Sequence, residues 1–446
     1  MQFLVHGMAN FKIKNNPLLG NTLKLTGGSV INYVIPIVST PILARLFTPA
    51  DYGDWGIFSS IVTIFTVFIC GGYEFAIVES QDNKEKSHIS QLCLLICLVV
   101  NFLLLSIILI SDSVGVNVFG FDSSWLIPLY LLFAGFNNVL YNISNSRKLY
   151  KKLAMAQVIS GLAMAVTRII MGLVHTPHGL IYGAIFSLVL VCVWMFISTE
   201  FYKEIYRRAH FSDFKKIAKK YKNYPLFDAP STLLVYLSNN LPILILGYFF
   251  GKNYVGCYTM VLHLLLLPMA FIGSNMSKVF IQQISEPSCN IIKSSKNVFN
   301  ISFLLGFAII FFFVAGGDYI LYKFLGGNWE IAGVYALYLS LWSFFTIMFA
   351  PLKPIYRIKK KQNIQMIIVT VSFIVQCGIL LLSSLSIKDV GLIVCLYSIC
   401  CSFFKIIEGL YLMKLCGSIK AFRSLLFTAL CSIAVLAWGA RAIYSI

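Results

Sequence analysis

The chain has 446 residues, 59% of them hydrophobic and only 12% charged, against about 25% charged in a soluble globule. That balance excludes a water-soluble domain and places the chain in a membrane. Its formal net charge of +18 would suit nucleic acid on one folded surface, but the cations fall in the gaps between apolar runs, which excludes that partner as well.

A helix crossing about 30 Å of hydrocarbon needs roughly 20 residues. In chain order the runs that qualify are 23–44, 56–78, 89–110, 124–145, 154–174, 178–199, 226–250, 254–274, 298–316, 331–351, 364–385 and 389–413, with a further apolar run at 423–443. The first 22 residues carry Lys12 and Lys14 but no apolar core followed by a small-residue cleavage site, so the first span is expected to stay in the membrane. The longest polar stretch, Glu200 to Tyr224, holds eight of the 35 Lys and Arg residues. It divides the chain into a six-helix bundle (1–199), a basic cytoplasmic linker (200–224), a second six-helix bundle (225–415) and an extra hydrophobic helix (416–446). The expected fold is an all-α polytopic membrane protein of about twelve spans, or thirteen if 423–443 crosses. The twelve cysteines are scattered through apolar runs without metal-ligand spacing, so neither a metal nor a disulfide framework is expected.

Orientation follows from the cations, because Lys and Arg are retained in the cytoplasm during insertion. With the N-terminus inside, 28 of the 35 fall on the inner side. Among them are the clusters Arg147–Lys152, the linker, and Arg357–Lys361. The two halves also read alike: Phe47 aligns with Phe250, Gly53 with Gly256 and Trp55 with Tyr258, all at one offset of 203. Six spans is an even number, so the halves would be parallel repeats about an axis along the membrane normal. Spans one and seven occupy corresponding positions and are poor membrane helices. The first has Asn32, Pro36, Ser39, Thr40 and Pro41; the second has Pro225, Asp228, Pro230, Asn239, Asn240 and Pro242. Interrupted spans in matching positions point to a substrate cavity, although small and polar residues also pack helices closely.

The runs ILARLFTPADYGDWGIFSSI (Ile42–Ile61), GYEFAIVESQDNKEK (Gly72–Lys86) and the stretch Lys222–Glu286 resemble the O-antigen and polysaccharide flippases (Wzx-type) of the multidrug/oligosaccharidyl-lipid/polysaccharide exporter superfamily. The resemblance implies two six-helix bundles around a central cavity working by alternating access in a bacterial cytoplasmic membrane. It implies, as substrate, an undecaprenyl-diphosphate-linked oligosaccharide moved to the periplasmic leaflet, with membrane lipids and the polymerase and chain-length regulator of polysaccharide assembly as partners. No cofactor is implied.

Sugars and a diphosphate cross hydrocarbon only through a hydrated cavity that offers cations or hydroxyls. The intramembrane cations are Arg168, Arg45 and Lys405. Arg168 answers either to diphosphate contact or to a structural ion pair or periplasmic snorkel, and Arg45 either to substrate contact or to snorkelling to headgroups. Lys405 and Glu408, three residues apart, suit an internal ion pair, or else a substrate cation and an ion-coupling carboxylate. Glu74 reads as a coupling carboxylate or an interfacial acid, Asp228 as a coupling group or a helix N-cap, and His263 as a core histidine or a titrating switch. Asn138 and Asn142 share a helix face, suited to sugar hydroxyls or to interhelical bonds. No Ser/His/Asp arrangement or Walker loop is present, so a secondary transporter rather than an enzyme is expected. Two rivals remain: a multidrug antiporter, which would favour acidic cavity residues, and an O-antigen polymerase, which would show a large periplasmic loop.

Overall fold

The computed structural model of the protein describes residues 34–115, 123–201, 211–284 and 290–417. Asn32, part of the linker and the run 423–443 lie outside the described residues. Every regular element described is helical. The long helices are α1 (Val34–Leu46), α2 (Pro49–Ile69), α3 (Asn83–Ser113), α4 (Leu126–Ser146), α5 (Tyr150–Leu173), α6 (Gly179–Ser198), α7 (Ala229–Phe250), α8 (Lys252–Ile284), α9 (Ile291–Phe312), α10 (Glu330–Phe349), α11 (Gln362–Ser386) and α12 (Val390–Cys416). Eleven segments among the described residues are long and apolar enough to span a bilayer, and α1 adds a shorter apolar helix. The protein is a multi-pass membrane protein.

Local chemistry sets several helix limits differently from the hydropathy reading. Helix α2 starts at Pro49, not 56, because Thr48 and Asp51 form a capping box and Pro49 fills the first turn. Gly53 and Trp55 therefore lie in a helix and not in a loop. At its other end α2 stops at Ile69 instead of running to 78: Gly71 and Gly72 adopt φ of 61° and 77°, which favours glycine. The chain then makes a short 3-10 turn, Tyr73–Phe75, and a four-residue helix, Ala76–Glu79. Asp228 does not cap α7. The chain is already helical through the π-turn Tyr224–Asp228, so Asp228 sits in the helical region without a capping bond.

Large apolar side chains of α3 such as Leu98, Phe102 and Ile110 point outward, as the lipid-facing surface of a membrane bundle does. Inside, three apolar cores form. One lies within the first bundle and includes Phe58, Ile89, Leu131 and Met195. A second lies in the last helices around Phe280, Phe299, Phe349 and Leu412. The third joins the two halves: Leu43, Phe47 and Tyr52 of the first pack with Leu246, Val255, Tyr258 and Trp329 of the second.

The joint lies at the end away from the basic loops, where α2 packs on α7 and α8. A Cβ on Gly53 would overlap the Lys252 carbonyl, one on Gly256 would overlap the Pro49 carbonyl, and one on Gly56 would overlap Thr259 Oγ1. Each pair is reciprocal at the same offset of 203, so the contact has the symmetry of an isologous interface. Trp329 closes it: its Nε1 donates to Ala44 O at 2.9 Å and its ring meets Tyr52 edge-on at 5.2 Å. Lys252 Nζ lies 2.7 Å from Asp54 Oδ1, and His178 Nδ1 lies 3.6 Å from Asp54 Oδ2. At the basic end the two bundles keep separate cores. Cavities between the bundles are therefore sealed from one side.

Candidate functional site

Two cavities lie at different heights along α2. Trp55 borders the first and Thr66 the second, which puts them about 16 Å apart at the rise of a helix.

The first cavity, a narrow space of about 20 Å³ open to a water-sized sphere, lies among α1, α2, α5 and α8. Its α1 wall is the interrupted stretch, where Ser39 and Thr40 donate to Pro36 O at 3.2 and 2.6 Å; these hydroxyls bond back along the helix around two prolines. Arg168 enters from α5. Its stem fits against Gly183, where a Cβ would overlap Arg168 Cγ. Its Nε donates to Leu180 O at 3.0 Å, and its guanidinium lies over the Trp55 ring with Cζ 4.3 Å from the centroid. Arg168 is 4% exposed. Its Nη2 and Thr259 Oγ1 have no hydrogen-bond partner among the described residues. The described lining contains no carboxylate, and no Asp or Glu among the described residues pairs with Arg168. His263 faces the same cavity. A buried guanidinium with no carboxylate partner among the described residues has the chemistry to hold an anion.

The second cavity, the roomier of the two at about 250 Å³, opens where α2 breaks. Glu74, Asn138 and Asn142 line it together with Tyr141, Tyr236 and Thr232. Glu74 is 7% exposed, and its Oε2 has no partner among the described residues. Asn142 Nδ2 donates to Asn138 O at 2.9 Å. No Lys or Arg is among the described residues that line this cavity.

The other sequence candidates fall elsewhere. Arg45 is exposed at the end of α1. Asn239 is exposed on α7, and Asn240 Nδ2 donates along its own helix to Tyr236 O at 2.8 Å. Asp228 is exposed. Lys405 Nζ bonds Glu408 Oε2 at 2.9 Å, and Glu408 Oε1 also lies 3.4 Å from Lys353 Nζ. Lys353 was not singled out in the sequence. It reads as one more basic loop residue, and only the turn Ala350–Leu352 brings it back over α12. None of these residues lines either cavity.

The described residues thus form a polytopic helical fold with two cavities at the contact between its bundles. The fold is shared with transporters of the MOP superfamily. The likeness covers 92% of this chain and 91% of the structure titled lipid II flippase MurJ, inward closed conformation, at a TM-score of 0.71 and 14% identity. It covers 87% of this chain and 96% of an inward-facing multidrug resistance MATE transporter, at 0.57 and 14%. It also covers 92% of this chain and 98% of a MOP superfamily transporter from Pyrococcus furiosus, at 0.52 and 15%. No curated protein sequence matches the chain. The chain belongs to the family described as polysaccharide biosynthesis protein, which matches residues 42–334.

Proposed function

We propose that the protein is a flippase for undecaprenyl-diphosphate-linked oligosaccharide repeat units. It moves them from the cytoplasmic to the periplasmic leaflet of a bacterial cytoplasmic membrane by alternating access, with its N-terminus in the cytoplasm. The observation that carries this is Arg168: a buried cation, with no carboxylate beside it among the described residues, in a cavity between the bundles. Membership of a polysaccharide biosynthesis family supports a sugar-bearing substrate, and the basic loops at one end support the orientation. The phosphates would pass from water to the guanidinium and the unpartnered hydroxyl, while the lipid tail stays in hydrocarbon. No bond is made or broken, so the work is binding and gating and not catalysis.

Complementation in the host tests it. Deletion of the gene is expected to remove surface polysaccharide and to leave lipid-linked repeat units in the cytoplasmic leaflet. Wild type restores export, and Arg168→Ala at equal protein level fails. Arg168→Lys keeps the charge but not the planar fork, so partial recovery is expected. Unchanged polysaccharide with heightened sensitivity to cationic drugs would instead make the protein a multidrug exporter.

A further inference from the structure

The two cavities are segregated by charge. Among the described lining residues, the first holds Arg168 and no carboxylate, and the second holds Glu74 and no Lys or Arg. A diphosphate alone accounts for the first and leaves the second unexplained.

Glu74 is 93% removed from solvent, by its 7% exposure, and Oε2 has no partner among the described residues. A buried carboxylate in that state is satisfied by a ligand that donates hydrogen. Its neighbours point to the class of donor. Asn138 and Asn142 supply amide groups, Thr232 a hydroxyl, and Tyr141 and Tyr236 aromatic rings. Carboxylate and amide groups accept from and donate to vicinal hydroxyls, and aromatic faces lie against the C–H faces of pyranose rings. The break in α2 is what turns Glu74 into this space.

Resting on the flippase reading above, we infer that the Glu74 cavity is a sugar subsite that selects neutral or amino-bearing sugars and rejects uronic and other acidic sugars. An acidic sugar would set a second carboxylate beside Glu74 with no cation in the lining to compensate it.

The test uses purified full-length protein in nanodiscs and three probes: undecaprenyl diphosphate itself, the same lipid carrying a neutral disaccharide that ends in glucose, and one that ends in glucuronic acid. Wild type is expected to bind the glucose-ended probe about tenfold more tightly than the glucuronic one. Glu74→Gln is expected to bring the ratio to within about twofold, and Glu74→Asp to retain the preference. Equal binding of the two sugars by wild type overturns the inference without any variant. So does a ratio that Glu74→Gln leaves unchanged, even if that variant loses proton-driven transport. If undecaprenyl diphosphate binds and Arg168→Ala weakens it while the sugars are not told apart, the flippase reading stands and the Glu74 inference falls. If none of the three lipids binds, both fall.

Discussion

Arg168, Glu74 and Glu408 are all buried ionisable residues, and their partners separate them. Glu408 faces two lysines and is the structural group of the three. Removing one member of a fully buried ion pair costs about 3–5 kcal/mol. Lys353 and Lys405 are 37% and 25% exposed, so water offsets part of their loss, and Glu408→Ala is expected to cost about 2 kcal/mol. Thermal melting should show it as a lowered midpoint, while binding of undecaprenyl diphosphate by the folded fraction is retained. Arg168 and Glu74 are expected to show the reverse, with binding altered more than melting. The sequence located all three in or beside spans. What it lacked was the pairing, because Lys353 reaches Glu408 from more than 50 residues away in a basic loop that reads as solvated.

At the scale of the element, the seal rests on helix α2 meeting α7 and α8 without side chains between backbones. Gly256→Ala puts a methyl where the Pro49 carbonyl lies, so the helices must separate. Cys257, adjacent and 2% exposed, reports on that separation. It is expected to resist a membrane-impermeant maleimide in wild type and to be labelled in Gly256→Ala, read by peptide mass mapping. Unlabelled Cys257 in the variant would mean that the helices absorb the methyl elsewhere. The spans and their order were legible from hydropathy, whereas the Gly53/Gly256 correspondence signalled a repeat and not the contact that the two glycines make. The start of α2 was legible too, in the capping residues Thr48 and Asp51, but a hydropathy window is blind to polar caps. The break after Ile69 was hidden for a related reason: the residues beyond it, Tyr73 to Val78, are mostly apolar, and only the paired glycines interrupt them. Trp329 left no signal, since one indole in an aromatic-rich chain does not reveal that its N–H will reach across to Ala44.

For the whole molecule, the proposed alternating access would require the sealed end to open, so contacts between the halves there would set the balance between states. Asp54 and Lys252 bridge the halves. Reversing either charge alone, Asp54→Lys or Lys252→Glu, is expected to weaken the seal and lower export. The double reversal should recover much of it, with His178 beside the position of Asp54 limiting the recovery. Exposed ion pairs contribute about 0–1 kcal/mol; Asp54 is only 13% exposed, which favours a measurable effect. Export assayed across the four proteins checks this, and a double variant no better than the singles would remove the pair from the gating contact.

The reciprocity of the seal also says how such a chain is built. Each half buries against its neighbour the same stretch of its own sequence, so a half-length chain would find in a second copy the surface it now finds in its partner half. Six spans return the chain to the side on which it began, and a linker can then join two halves without inverting either. The full chain is in this sense a tethered dimer, whose linker supplies by effective concentration what free halves would have to find by diffusion. Tethering also frees the two copies to differ. Arg168 and Glu74 both belong to the first half, so a near-symmetric frame carries a one-sided chemistry.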